Sequence, residues 1–373
     1  MLFHYYPVND MTITAVICEL NPVHNGHKYI FEKARELTGA DYCIAIMSGD
    51  YVQRGEPAVF DKHIRSRFAL LIGADAVIEL PGIFATGSAQ YFARGAAGIL
   101  KKIGCISYLC FGSESGDIAS IMSDDNDMPN DILAREYIKA IEYLGLDIKP
   151  VPVKREGTDY NDDENISGTI CSASYLRKKL ICEKDFDRKL IPDSCVDVFY
   201  DYINNYAPVY FDDYSDVFYQ SLKILEGSLD TYFDVYGDLA DKFENALDGF
   251  TSADEYCHLV KTKEIAFSHI KRALLHTALS YTKDDEKYAR ENDYCIYLRL
   301  LGFNKAKADV LKKLTKNGSN LISKTSDARD ILDRRALEIY EKDISASMLR
   351  EYIRQKKDKK PAVNEYKRSV IIL

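Results

Sequence analysis

The sequence predicts an α/β chain: a doubly wound parallel sheet followed by a mainly helical C-terminal region. Three observations carry that prediction. Short apolar, β-branched runs alternate with helix-like segments through the first half, the pattern of βαβ units with right-handed crossovers. From about Glu183 strand signals become scarce, and long stretches rich in Tyr, Leu and Lys take over. The turns with the most chemistry in them follow strands, where doubly wound sheets bind ligands.

Taken in order, strand-like runs occur at 13–19, 41–47, 75–80, 106–111 and 148–153, with helix-like segments at about 28–38, 61–72, 88–102 and 128–144. Beyond these, helical patterns cover 193–225, 229–247 and 252–281, then 289–300, 305–315, 327–340 and 345–357. A chain of 373 residues that is 46% apolar can bury a large core and split into two or three domains. The expected units are a short extension (1–10), a catalytic domain (11–187), a helical domain (188–285) and a basic, mixed C-terminal domain (286–373).

The first strand and its turn, Thr12 to His27, read TITAVICELNPVHNGH. Ile13 to Cys18 suit a strand covered on both faces. Asn21 and Pro22 punctuate the chain, and from Lys28 the apolar spacing is helical. His24, Asn25, Gly26 and His27 therefore sit at a helix N-terminus, where backbone N–H groups and the helix dipole favour phosphate. Two imidazoles there can stabilise charge developing on an α-phosphate during nucleotidyl transfer, and Gly26 would let a nucleotide come close to the backbone. A lone HxxH is more often two ordinary histidines; the strand–turn–helix context reverses that balance. Zinc would need more ligands than this segment supplies.

A second phosphate element is expected in Ile170-Cys171-Ser172-Ala173-Ser174-Tyr175-Leu176-Arg177. Ser172 can cap a helix whose free N–H groups face phosphate, and Arg177 can add a charge-assisted fork. The alternative is an ordinary capped basic helix. Ser345-Ala346-Ser347-Met348-Leu349-Arg350 nearly repeats the pattern. Only the first copy follows the last predicted strand of the sheet, so the second is read as a capped surface helix.

NPVHNGH resembles the HIGH-type motif of the nucleotidyltransferases. The longer run Met47 to Pro81, MSGDYVQRGEPAVFDKHIRSRFALLIGADAVIELP, and the block FGSESGD at Phe111 to Asp117 are similar to those of the bacterial tRNA(Met) cytidine acetate ligases. The similarity is strong over about 11–185 and weaker beyond. It implies a Rossmann-like nucleotidyltransferase domain that uses ATP and Mg²⁺ to activate acetate as acetyl-adenylate. The acetyl group would pass to N4 of the wobble cytidine of elongator tRNA(Met).

By the same resemblance, His24, His27 and Arg177 are the catalytic residues. The ATP site comprises Ile17, Cys18, Glu19, Leu20, Asn21, Pro22, Val23, Asn25, Gly26, Lys28, Tyr29, Ile30, Gly112, Asn161, Ser172 and Ser174. Arg54, Glu56 and Lys62, with Arg65 beside them, fall in an acetate or cytidine pocket or form a structural ion pair. Lys261, Lys263, Lys271 and Arg272 lie on a segment that resembles a tRNA-contacting basic helix, although Glu264 and His269 stand where positive residues are expected. Leu20, Val23 and Ser174 also depart from the family pattern. No metal ligands are assigned to protein side chains. The rivals are an HxGH transferase adenylating another small metabolite and a catalytically reduced RNA-binding homologue.

Composition fits this reading in part. The nine cysteines are scattered without a CxxC pair, as in a reducing cytoplasm. Neither a membrane span nor a signal peptide is expected. The net charge of −9 is unusual for a protein that binds RNA. The segment 305–373, however, carries roughly eight more basic than acidic residues, an asymmetry that flags a nucleic-acid face.

Overall fold

The computed structural model describes residues 11–155, 169–182 and 187–373. Its strands are β1 (Ile13–Cys18), β2 (Tyr42–Ser48), β3 (Tyr51–Val52), β4 (Glu56–Pro57), β5 (Ala76–Leu80), β6 (Tyr108–Ser113), β7 (Lys149–Lys154), β8 (Leu300–Phe303) and β9 (Ile371–Ile372). Seven of them form one sheet in the order β7-β6-β1-β2-β5-β8-β9, and β3 with β4 makes a small separate hairpin. The pairings β1–β2, β1–β6, β2–β5 and β6–β7 are all parallel. From β1 the chain winds outward through β2 to β5, then crosses back to lay β6 and β7 on the other side. The order therefore reverses beside β1, which opens a crevice beyond the carboxyl ends of β1 and β6.

Side-chain alternation along the strands splits the core into two layers. Ile13, Ala15, Ile44, Ile46, Ala76 and Ile78 point to one face, under the helices Ala89–Ile103 and Pro129–Tyr143. Val16, Cys18, Cys43, Ala45, Met47 and Val77 point to the other, under α1 (Asn25–Thr38), α2 (Lys62–Leu71) and the helices Ala173–Cys182 and Asp193–Asn205. Among the described residues, no helix is long and apolar enough to cross a membrane.

The second half departs from the sequence prediction in four ways. The stretch expected to be helical over 289–300 ends its helix at Glu291, and residues 300–303 form β8, antiparallel to β5. The C-terminal segment then adds β9 beside β8. The expected unit 286–373 thus completes the catalytic sheet, and the same apolar cluster runs from Ile13 through Phe211 and Tyr256 to Ile353. The helices expected at 327–340 and 345–357 are mostly one element of 25 residues, Arg334–Asp358. Finally, the Ser345–Arg350 repeat is no surface helix: Ser347 and Arg350 are buried within that element. A four-residue strand flanked by helical patterns has little periodicity of its own, which hid β8.

Candidate active site

The crevice beside β1 is a cavity of about 860 Å³, lined from the ends of β1, β6 and β7, from α1 and from the helix Ala173–Cys182. That volume is near the upper end for ligand pockets and leaves room for a nucleotide with a second reactant beside it. Leu20, with φ of +50°, turns the chain out of β1. Asn21 is then pinned, its Oδ1 accepting from the Val59 amide at 2.9 Å.

The two histidines are held by α1's own N-terminus. His24 is the N-cap, and its Nδ1 accepts from the Gly26 amide at 3.1 Å. His27 Nδ1 accepts from the His24 amide at 3.3 Å. Their rings lie 3.9 Å apart between centroids, tilted by 42°. Burial, joined by the positive charge of Arg155, lowers the His27 pKa to about 3. Burial, then His27, Arg155 and Arg177, pushes His24 well below its usual value. Both rings are therefore neutral at pH 7. Because each Nδ1 accepts a backbone proton, each ring carries its own proton on Nε2. The pair is a set of two neutral donors at a helix N-terminus.

These depressed values set a pH dependence. Below about 6.5 the unfolded chain takes up protons on these imidazoles while the folded apo-protein does not. Stability is expected to fall as pH drops from 6.5 toward 5, by up to about 1 kcal/mol per pH unit for each histidine. Urea titrations at pH 7.5, 6.5 and 5.5 check this against His27→Gln. A variant whose stability falls with pH as steeply as the wild type would rule the account out.

Gly26 also has a steric role within its own turn. A Cβ there would lie 2.9 Å from His24 Cε1 and 3.0 Å from its Nδ1. The glycine makes space for the imidazole of His24. Gly26→Ala should leave α1 helical but push that ring aside, lowering adenylation by about 10–100-fold. Pyrophosphate-exchange rates, with circular dichroism as a control, test this; unchanged rates would refute it.

Across the cavity, Ser172 Oγ accepts from the Tyr175 amide at 3.0 Å, the local cap the sequence suggested. Arg177 gives Nη1 to the Asn21 carbonyl at 2.7 Å and Nη2 to Ser174 Oγ at 3.0 Å. It thus ties the second motif to the first. Asn25 adds a further link, donating from Nδ2 to the carbonyls of Thr169 (2.8 Å) and Lys189 (2.7 Å). Among the lining residues Arg54, Lys154, Arg155, Arg177 and Lys178 are basic, against Glu19 and Glu56. Burial raises the Glu19 pKa, although it accepts the Gln53 amide on Oε1 at 2.8 Å. Cys18 also lines the cavity, and burial pushes its thiol up to about 12, so it stays a thiol at neutral pH. An apolar stretch of Ile30, Phe92, Phe111 and Tyr137 suits a flat base, next to a polar region suited to phosphates.

The comparisons fit this geometry. A model of the HIGH nucleotidyl transferase family matches residues 11–124 and 120–365. A Clostridium tetani protein named tRNA(Met) cytidine acetate ligase is 32% identical, covering 88% of this chain and 95% of that one. A Clostridium acetobutylicum protein of the same name is 34% identical over 83% of this chain and 89% of its own. This chain belongs to the tRNA(Met) cytidine acetate ligase family of HIGH nucleotidyl transferases. The crystal structure of Thermotoga maritima TmcAL bound with alpha-thio ATP superposes with a TM-score of 0.87 at 25% identity, covering 97% of this chain and all of that one.

Not every residue expected for this family's site lines the cavity. Ile17, Cys18, Glu19, Asn21, His24, Gly26, His27, Tyr29, Ile30, Gly112, Ser172, Ser174 and Arg177 do, as do Arg54 and Glu56. Leu20, Pro22 and Val23 are buried and Asn25 spends its amide on two backbone carbonyls, and none of the four lines the cavity. Lys28 pairs with Glu32 on the outer face of α1. Asn161 lies outside the described residues.

The remaining basic residues need correction. Lys62 is fully buried in an ion cluster, 2.8 Å from Glu79, 3.1 Å from Glu365 and 3.9 Å from Asp50, so it is the structural ion pair and not a pocket residue. Lys271, held 2.9 Å from both Glu56 and Asp254, and Arg272, 3.0 Å from Asp234, are 8% exposed and already neutralised. They are not presented to RNA; Lys261 and Lys263 are exposed. Lining residues that the sequence reading missed include Gln53, Lys154 and Arg155. Arg155 directly follows β7, so the strand-end rule that found the histidines could have found it.

Proposed function

We propose that this protein joins acetate to ATP as acetyl-adenylate and passes the acetyl group to N4 of the wobble cytidine of elongator tRNA(Met), in the cytoplasm. The observation that carries this reading is the pair of neutral imidazole donors facing Arg177 across a basic cavity. The relatives' printed names supply the acetate and the tRNA.

In the first step an acetate oxygen attacks the α-phosphate in line, the P–O bond to the β-phosphate breaks, and pyrophosphate leaves. The Nε2–H groups of His24 and His27 and the guanidinium of Arg177 donate to phosphate oxygens as charge builds on them, and no side chain needs to become covalently attached. In the second step the cytidine amine attacks the acetyl carbonyl, AMP leaves and the amine releases one proton. Among the described residues, no group of three or more His, Cys, Asp or Glu side chains is gathered to hold a metal. Mg²⁺ would arrive on the triphosphate oxygens, where it neutralises charge on the leaving group.

ATP–pyrophosphate exchange, run with acetate and with other small acids, with and without tRNA, tests the proposal. Acetate-dependent exchange together with acetylation of tRNA(Met) is the expected result. Exchange with another acid but not acetate would replace the substrate, and no exchange with any acid would leave a binding protein.

A further inference from the structure

The C-terminal repeat Ser345–Arg350 grips the hairpin that overhangs the cavity. Arg350 is 0% exposed. It donates from Nε and Nη2 to the Ala58 carbonyl at 3.1 and 2.9 Å, and from Nη2 to the Val59 carbonyl at 3.0 Å. Ser347 Oγ accepts from Lys62 Nζ at 3.0 Å, and the Ala346 carbonyl accepts from Tyr51 Oη at 2.8 Å. Little more than one turn of this helix thus holds the start of β3, the chain leaving β4 and the first residue of α2.

A second grip acts at the hairpin's tip. Gly55 has φ of +76° and packs so closely on the helix Phe267–Leu279 that a Cβ would lie 2.5 Å from the Arg272 nitrogen. Glu56 is tied to Lys271 at 2.9 Å. Gln53 and Arg54 stand between the two grips and, with Glu56, wall the cavity but belong to neither phosphate motif. The Gln53 amide donates to Glu19 at 2.8 Å and the Val59 amide to Asn21 at 2.9 Å, so the hairpin's height also sets groups on the cavity floor.

We propose that Arg350 and Ser347 are positioning residues. They act through the carbonyls of Ala58 and Val59 and the ammonium of Lys62 to fix the hairpin wall against which the second reactant meets the activated acetate. This rests on the reaction proposed above. His24, His27, Ser172 and Arg177 are on other elements and reach the hairpin through Asn21, so ATP affinity should fall far less than turnover.

The test uses the full chain with Arg350→Lys, which keeps the charge but loses the fork, and with the milder Ser347→Ala. Hydrogen exchange of amides 51–59 is expected to speed up by about tenfold or more while α1 amides stay unchanged. Affinity for a non-hydrolysable ATP analogue should stay within about twofold and kcat for tRNA acetylation should drop about tenfold, more in Arg350→Lys. Unchanged hairpin exchange, exchange rising equally across the whole sheet, or ATP affinity lost in step with kcat would each overturn the proposal. If Arg350→Lys does not accumulate folded, Ser347→Ala decides the same question. A wild type that makes no acetylcytidine would defeat the proposed reaction alone, since hydrogen exchange and ATP affinity would still report on the grip.

Discussion

Replacing His27 with alanine is expected to lower acetate-dependent pyrophosphate exchange by about 10²–10³-fold, the usual cost of losing one preorganised donor to a developing oxyanion. His27 is held in its Nε2–H form by the backbone bond at Nδ1, and burial keeps it neutral. It pays no reorganisation cost when charge appears on the α-phosphate. Folding should survive, because the ring's hydrogen bond among the described residues is a local one, from the His24 amide three residues away. His27→Asn should recover part of the rate, since its amide can restore a donor in the cavity. Exchange within about threefold of wild type in a folded His27→Ala protein would be incompatible with charge stabilisation by this ring.

The second large effect is on stability. Lys62→Met is expected to cost about 3–5 kcal/mol, because it leaves buried carboxylates without their cation. Burial and Arg299 push the Lys62 pKa down, but Glu365, Glu79 and Asp50 outweigh both and keep the ammonium charged. Burial raises the Glu365 pKa, but Lys62, His63 and Arg299 prevail and hold it well below the ordinary carboxylate range. Removing Lys62 leaves Arg299, which sits 2.7 Å from Glu365 and 3.2 Å from Glu79, to balance both carboxylates. Urea denaturation measures the effect, and a loss under about 1 kcal/mol would show that the cluster reorganises without its lysine.

The parts legible in the sequence were those governed by local pattern. The five parallel strands, the histidine turn and the serine cap at Ser172 follow from apolar runs and short-range spacing, and all three appear. Lys271 and Arg272 were misjudged because the carboxylates that neutralise them, Glu56, Asp254 and Asp234, lie far off in sequence. The Ser345–Arg350 repeat failed for the same reason. Its local spelling matches a capped helix start, yet the neighbours that decide its role are Ala58, Val59 and Lys62, nearly three hundred residues away. Local pattern could assign secondary structure here but not the partner of a charge.

The antiparallel pairing of β8 with β5 has a consequence for how the protein is made. When β5 leaves the ribosome its outer edge has no neighbour, and its partner follows only about 220 residues later, a wait on the order of ten to forty seconds at common elongation rates. During that interval a bare strand edge carrying Val77 and Ile78 is open to pairing with other nascent chains. Glu79 likewise waits for Arg299, and Lys62 for Glu365. Synthesis of this enzyme should therefore lean on chaperones that shield exposed edges, and a fragment ending near residue 187 should self-associate more than the whole chain at equal concentration.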